Sequence, residues 1–229
     1  MDASYVMGLD LGPPGEPTAF AVLEWPATDE PKPENAYHLR HLERFLPNTS
    51  YPTIMEAVAM RTDTPPLCAA PLVVDVTAVG RQVIDRLYKL KPRIFPILMT
   101  AGQTTHWVEW VGQSVPKKEL VSALQLALQT RRLKVAPQLP DASLLETELS
   151  AFRLRRVSIS EVNAPEWRVG RYDDLVFAVA LACWHADRHP PQKPLSVRPR
   201  LERRNAVERL FGRRTPPNEP LFPNGVFRT

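Results

Sequence analysis

The chain has 229 residues, of which 44% are apolar and 24% charged, a composition typical of globular proteins that excludes fibrous and wholly disordered ones. Its two cysteines, Cys68 and Cys183, cannot build a disulfide framework or a zinc knuckle. No apolar run approaches the roughly 20 residues of a membrane span, and the first residues lack the features of a secretory signal. We therefore expect a cytoplasmic protein with no membrane contact.

Positive charge is concentrated at the C-terminal end of the chain. The net charge is +4, but residues 186–229 contain ten Lys or Arg against four acids, which leaves −2 for the rest. The Pro- and Arg-rich composition of this end argues against a packed core. We predict an ordered domain over residues 1–187 and a basic tail over residues 188–229, which either binds a polyanion or only solubilises the chain.

The first hundred residues predict most of a β-sheet. Two apolar segments flank a Gly-Pro-Pro-Gly turn and predict a hairpin. A third strand and a helix follow, and then a strand–helix–strand unit, whose right-handed crossover makes its two strands parallel. The predicted strands are 5–11, 18–25, 37–45, 71–76 and 93–99, and the predicted helices are 51–61 and 80–90.

Later segments predict mainly helices. Residues 104–115 predict an irregular strand or loop. Its Trp107 and Trp110 are interpreted as core residues because they lie so close to an apolar sheet, and the alternative is that they stack on bases. Helices are predicted over 116–132, 144–152 and 174–185, with a hairpin over 153–169. The predicted fold class is therefore α/β, with a mixed five-stranded sheet flanked by helices and followed by the Pro/Arg-rich tail.

Acidic residues stand at the ends of three apolar elements. Asp10 ends the first strand, Asp75 ends the fourth, and Asp173 and Asp174 begin the last helix. A carboxylate is costly to bury in such a place unless something compensates it, and carboxylate oxygens are the ligands that hard divalent cations prefer. The pattern indicates two-metal phosphodiester chemistry, in which ions about 3.5–4 Å apart are gripped by acids from different elements.

Each acid also has a purely structural explanation. Asp10 could cap the turn that follows it, and Asp75 could cap the next helix together with Thr77. Asp173 and Asp174 lie where N-caps and first-turn acids are common. All of these explanations would have to hold at once, so a shared site is the simpler interpretation.

The order of these segments resembles the nuclease domain of phage terminase large subunits, which has an RNase H-like fold of the RuvC type. The resemblance covers roughly residues 5–187 and rests on the segments GLDLG, VVDVTAVG, VPKKELVSALQLALQTRRLKVAP, LLETELSAF and YDDLVFAVALA. One departure is Tyr172, which stands where the family often has His.

The resemblance implies a metal-dependent DNA endonuclease. Asp10, Asp75 and Asp174 would be its catalytic residues and, with Asp173 as a further ligand, would hold two Mg²⁺ or Mn²⁺ ions. DNA would be the substrate, a packaging ATPase or portal protein a further partner, and the host cytoplasm the location if the source is viral. The phosphate-binding loop of the packaging ATPase, G-x-x-x-x-G-K-[ST], is absent from the sequence.

Basic residues in two places are candidate DNA contacts. Lys117 and Lys118 begin a long helix, whereas Arg153, Arg155 and Arg156 alternate on a predicted strand before the last acids. Lys and Arg are the usual partners of the phosphate backbone, so we predict that these five residues bind DNA. The alternative for the lysines is a solvated helix end.

The sequence leaves other functions open. A catalytically degenerate RNase H-like domain could bind DNA or an assembly partner, because a fold can outlive its chemistry. An actin- or sugar-kinase-like nucleotide-binding protein also begins with a strand that ends in Asp-x-Gly, as residues 10–12 do. That class commonly has two RNase H-like halves and a longer chain. Within the nucleases, a Holliday-junction resolvase is a further possibility.

Overall fold

One mixed β-sheet carries helices on both faces. The computed structural model describes residues 3–26, 36–90, 93–152 and 173–189. The strands are, in chain order, Ala3–Asp10 (β1), Thr18–Pro26 (β2), Tyr37–Phe45 (β3), Leu72–Asp75 (β4), Ile94–Thr100 (β5), His106–Val108 (β6), Gly112–Pro116 (β7) and Leu133–Val135 (β8). They are arranged in the order β6-β7-β5-β4-β1-β2-β3-β8.

The sheet contains both antiparallel and parallel pairs. Strands that are consecutive in the chain form the antiparallel pairs β1–β2, β2–β3 and β6–β7. Strand β4 instead pairs in parallel with both β1 and β5, and β5 pairs in parallel with β7. The predicted hairpin and the predicted parallel pair are both confirmed, and the fold class is mixed α/β.

The predicted number of strands is wrong, because the described residues form eight and not five. The five predicted strands are present as β1 to β5, and β6, β7 and β8 are additional. Strands β6 and β8 contain three residues each, which is too short for a hydrophobic period to be recognised. Both lie at the edges of the sheet, where pairing on one side is enough.

The prediction that Trp107 and Trp110 belong to the core is also wrong. The first lies on β6 and the second in the turn that leads to β7, where the backbone of Trp110 has a φ of 67°. Their exposed fractions are 70% and 71%. The hairpin is at the edge of the sheet, so proximity to apolar strands does not bury its side chains.

Five helices are present in the described residues, close to the predicted positions. They are Tyr51–Thr62 (α1), Arg81–Leu90 (α2), Lys117–Gln129 (α3), Ala142–Ala151 (α4) and Asp174–Arg188 (α5). None of these helices has the length and apolar character needed to cross a membrane. The predicted hairpin over 153–169 and the tail over 188–229, apart from its first two residues, lie outside the described residues.

Two hydrophobic clusters lie on opposite faces of the sheet. Helices α3, α4 and α5 cover one face, together with alternate strand residues such as Val6, Val73 and Ile97. Helices α1 and α2 cover the other face, together with the intervening strand residues such as Met7 and Val74. The period of two along each strand therefore assigns every side chain to one layer. We call the face that α3, α4 and α5 cover the α5 face.

Helix α5 runs antiparallel to β1. Its first residue, Asp174, binds Arg44 near the end of β3, whereas Asp187 accepts a hydrogen bond from the Tyr37 hydroxyl at the start of β3 (2.5 Å). Strands β1 and β3 point the same way because each is antiparallel to β2. The N-terminus of α5 therefore lies at the edge of the sheet where β1 and β4 end.

The packing of α5 on β1 leaves no room for a side chain at Gly8. A Cβ atom built on Gly8 would lie 1.9 Å from the carbonyl oxygen of Ala178. Backbone atoms cannot move aside as a flexible side chain can, so glycine is required by this close approach. The contact fixes the distance between the sheet and the helix that begins with Asp174.

We expect Gly8→Ala to lower the free energy of unfolding by at least about 2 kcal/mol, because overpacking forces the backbone to shift. The measurement is urea denaturation followed by circular dichroism. Gly80→Ala is the matched control, since a Cβ there has no heavy atom within 4 Å. It should change stability by less than about 1 kcal/mol. Equal stability of the two variants would contradict the role given to the Gly8 contact.

Candidate active site

Asp10 and Asp75 lie directly opposite each other on neighbouring parallel strands. The pairing of β1 with β4 ends at this position, where Asp10 is in register with Asp75. Both side chains project to the α5 face, because each follows the alternation set by Val6 and Val73. Both residues are fully buried. The structure therefore brings two of the predicted catalytic acids together at one point of the sheet.

The surroundings of Asp75 orient its carboxylate. Its Oδ1 atom accepts hydrogen bonds from the Thr77 amide (2.9 Å) and from the Thr77 hydroxyl. The Thr77 hydroxyl oxygen in turn accepts one from the Met99 amide of β5 (2.7 Å). Among the described residues, none donates a hydrogen bond to the buried Oδ2 atom of Asp75. One oxygen is thus fixed by the protein, and the other faces the Asp10 side.

Burial raises the pKa of Asp75 above its ordinary value. The hydrogen bonds from Thr77, the neighbouring Asp10 carboxyl and the positive charge of Lys117 lower it, but they offset only part of the effect of burial. A carboxyl group that resists ionisation in this way is ready to exchange its proton for another cation.

The structure shows which capping contacts the strand-end acids make. The amide of Gly12, in the turn after β1, donates to the Thr18 hydroxyl (3.1 Å), so this turn has a cap other than Asp10. Asp75 does bind Thr77, but helix α2 begins only at Arg81. The carboxylate of Asp75 therefore orders a local turn and does not cap the helix.

Asp174 is held by an arginine. The Arg44 guanidinium donates to both carboxylate oxygens of Asp174, at 2.7 and 3.0 Å, and forms an ion pair with Glu148. Glu148 also accepts a hydrogen bond from the amide of Val176 in the first turn of α5 (3.3 Å). Asp173 precedes the helix and is buried, but its side chain does not cap it. The two neighbouring acids therefore have different environments.

The register places Arg44 in the same row of the sheet as Asp10 and Asp75, which we call the acid pair. Asp10 lies opposite Ala19 of β2, and Ala19 lies opposite Arg44 of β3. Two strand spacings separate Arg44 from Asp10, which is about 10 Å. The start of α5 is thus anchored two strands away from the acid pair.

All the buried carboxylates of the described residues belong to this end of the molecule. They are Asp10, Asp75, Glu148, Asp173 and Asp174. Within the described ranges, Arg44 pairs with Asp174 and Glu148, and the charge of Lys117 acts on Asp75. A concentration of buried negative charge costs free energy, which is typical of a site that binds cations and not of a structural core.

The structure describes two of the five basic residues that are predicted to bind DNA. Lys117 begins α3, and its ammonium lies 4.5 Å from the centre of the Phe177 ring of α5, where its charge acts on Asp75. Lys118 is exposed and donates to the side chain of Gln103. Arg153, Arg155 and Arg156 lie outside the described residues. Of the two lysines, Lys117 is the one whose charge acts on the acid pair.

The described residues contain no group of three or more His, Cys, Asp or Glu side chains close enough to hold a metal ion. The acid pair consists of Asp10 and Asp75, and the acids of α5 lie at the same end of the sheet without completing such a group. Sequence reasoning missed Thr77 as an orienting residue and missed both partners of Asp174, Arg44 and Glu148.

A β-bulge explains why Arg44 was missed. The register between β2 and β3 shifts between Val22 and Leu23, where β3 contains one extra residue. Leu39 lies on the α5 face, and strict alternation from it would put Arg44 on the opposite face. The shift returns Leu42 and Arg44 to the α5 face. No pattern in the sequence marks this bulge.

Comparisons with known proteins support the fold. No protein-family model matches the sequence, and no curated protein matches it. The large terminase nuclease from the thermophilic phage G20c is similar in structure, with 22% identity, a TM-score of 0.53 and coverage of 79% of this chain and 81% of that one. Its magnesium-bound crystal structure gives 21% identity, a TM-score of 0.54 and coverage of 80% and 81%.

A third match is the nuclease domain of g2p, the large terminase of bacteriophage SPP1, with bound Mn. It has 14% identity, a TM-score of 0.48 and coverage of 81% of this chain and 86% of that one. The resemblance to terminase nucleases predicted from the sequence is confirmed as a structural similarity. The chain has the mixed α/β, RNase H-like fold of large terminase nuclease domains.

Proposed function

We propose that the protein is a metal-dependent DNA endonuclease. The observation that carries this proposal is the pairing of Asp10 with Asp75, two buried carboxylates in register on one face of the sheet. The fold, which is that of large terminase nuclease domains, supports the proposal. DNA would be the substrate, and a packaging ATPase or portal protein would be a further partner.

The residues at this site fit Mg²⁺ or Mn²⁺. The available donors are carboxylate oxygens, which hard cations prefer, and one of them, Oδ2 of Asp75, accepts no hydrogen bond from the described residues. Asp10 and Asp75 would hold the metal. Asp173 and Asp174, which the sequence predicts as further ligands, do not form a group of three with them, and Asp174 is engaged by Arg44. When bound, two such ions would activate water and stabilise the leaving oxygen of a phosphodiester.

The chain's own residues have positioning roles in this proposal. Thr77 holds the Asp75 carboxylate through two hydrogen bonds and is itself held by the backbone of β5. Lys117 supplies a positive charge next to the acid pair, where a phosphate oxygen would also be attracted. Arg44 positions the start of α5 through Asp174.

A second candidate is a degenerate RNase H-like module that binds DNA without cutting it. The observation in its favour is the bidentate contact of Arg44 with Asp174, because a carboxylate that is neutralised by arginine is a poor metal ligand. The two proposals differ in their metal dependence. Metal-independent DNA binding without cleavage would support the degenerate module.

The first prediction concerns catalysis. With Mn²⁺ or Mg²⁺ the wild-type protein should nick or linearise supercoiled plasmid, and EDTA should prevent this, as resolved on agarose gels. Asp75→Asn should reduce cleavage by at least about 100-fold, because it removes the charge that holds the metal. Asp85→Asn is the matched control: Asp85 is 60% exposed and makes only a 3.9 Å contact with Arg81.

Metal binding can be measured without cleavage. Mn²⁺ at about 100 times its dissociation constant should stabilise the wild-type fold by about 2.7 kcal/mol, which thermal unfolding detects. The Asp75→Asn variant should show no such stabilisation, and Asp85→Asn should keep it. Equal stabilisation of all three proteins would place the metal elsewhere.

A second prediction concerns the pH dependence of stability. The pKa of Asp75 is higher in the folded protein than in the unfolded chain. Its contribution to the free energy of unfolding therefore falls as the pH rises from the pKa of the unfolded chain to the pKa of the folded protein. Each tenfold difference in proton affinity corresponds to about 1.4 kcal/mol. Without metal, Asp75→Asn should therefore be more stable than wild type at pH 7, and the difference should shrink towards acidic pH. A destabilised variant at pH 7 would contradict this.

A third prediction concerns the arginine that holds α5. Arg44→Met should lower the free energy of unfolding by about 3–5 kcal/mol, because Asp174 and Glu148 would remain buried without their cation. Arg40→Met, on the same strand, removes an arginine that is 56% exposed and paired with Glu24, and should cost less than about 1 kcal/mol. Urea denaturation of both variants tests the contrast, and similar losses would refute it.

A further inference from the structure

An exposed tryptophan lies on the β6–β7 hairpin at one edge of the sheet. Trp107 is 70% exposed, and its strand neighbour His106 is exposed as well. An indole ring in water costs free energy unless it has a partner for at least part of the time. The acid pair does not use this ring, so it needs a separate explanation.

The register places Trp107 in the same row of the sheet as the acid pair. Asp75 lies opposite Ile97 of β5, Ile97 opposite Gln113 of β7, and Gln113 opposite Trp107. Residues that are opposite each other project to the same face, and Ile97 belongs to the cluster of the α5 face. Trp107 therefore projects to the face that carries Asp10 and Asp75. Three strand spacings correspond to about 14 Å from Asp75.

The surroundings of Trp107 favour a nucleic acid over a protein partner. Its neighbours along the strand are His106 and Val108, and it lies opposite Gln113. Strand β7 leads directly into Lys117, whose charge acts on Asp75, and into the exposed Lys118. Exposed aromatic rings stack on bases, and lysines on the same part of the sheet bind the phosphate backbone.

We infer that Trp107 stacks on an unpaired base of the DNA strand that enters the acid site, and that the enzyme engages single-stranded or frayed segments there. This inference rests on the proposed nuclease function. A base within a duplex has its faces covered by its neighbours and offers no such surface.

The test is binding of fluorescein-labelled oligothymidylate and of a labelled duplex, measured by fluorescence anisotropy. The full chain carries Asp75→Asn and EDTA is present, so neither cleavage nor metal affects the result. Trp107→Ala should weaken binding of the single strand by about 5- to 150-fold, the range expected for loss of one stacking contact. Binding of the duplex should change by less than about twofold.

Two control variants sharpen the test. Trp107→Phe keeps an aromatic face and should restore most of the affinity for the single strand. Trp110→Ala removes an equally exposed indole from the same hairpin, but this ring lies in the turn, outside the register row, with the Arg81 guanidinium 5.4 Å from its centre. It should leave single-strand binding within about twofold of the Asp75→Asn parent.

Several results would overturn the inference. Unchanged single-strand binding in Trp107→Ala would remove the stacking role, and equal weakening for single strand and duplex would indicate a general loss of structure or charge. If light scattering showed that Trp107→Ala changes the oligomeric state while DNA binding is unaffected, the ring would belong to a protein contact. Failure of the nuclease proposal is seen separately, as absence of metal-dependent cleavage by the wild-type protein.

Discussion

The parallel register between β1 and β4 is the constraint on which the site depends. It seats Asp10 opposite Asp75 on a buried face, where both side chains are shielded from water. A slip of one residue would move one of the acids to the face of α1 and α2. The hydrophobic residues of both faces prevent this slip, because β4 is buried on both sides. The apolar core thus supplies the free energy that keeps the acids together.

Much of this arrangement could be predicted from local sequence. A β-branched strand that ends in an acid, as at Asp75, and a fully apolar helix that begins with Asp174 are strong local signals. The environments of these acids could not be predicted, because Arg44 and Glu148 reach Asp174 from distant segments. The β-bulge of β3 and the three-residue strands likewise depend on pairing between distant segments, which leaves no periodic trace. Trp107 was misassigned because an edge position cannot be recognised from composition.

The two acids at the start of α5 show how one dipeptide can have two roles. Asp174 is bound through both oxygens by Arg44, which ties the helix to β3. Asp173 is buried beside it and makes no cap, so its carboxylate is not used to start the helix. The ion pair of Asp174 with Arg44 therefore holds the start of the helix in place, and the side chain of Asp173 takes no part in capping it.

The buried charges also have a consequence for the binding of ligands. The described residues bury five carboxylates at this end of the molecule, together with the charges of Arg44 and Lys117. A bound cation would offset part of the free-energy cost of burying these acids, and a phosphate group would in turn offset the charge of the cation. In the proposed nuclease, metal and nucleic acid would therefore each raise the affinity of the site for the other.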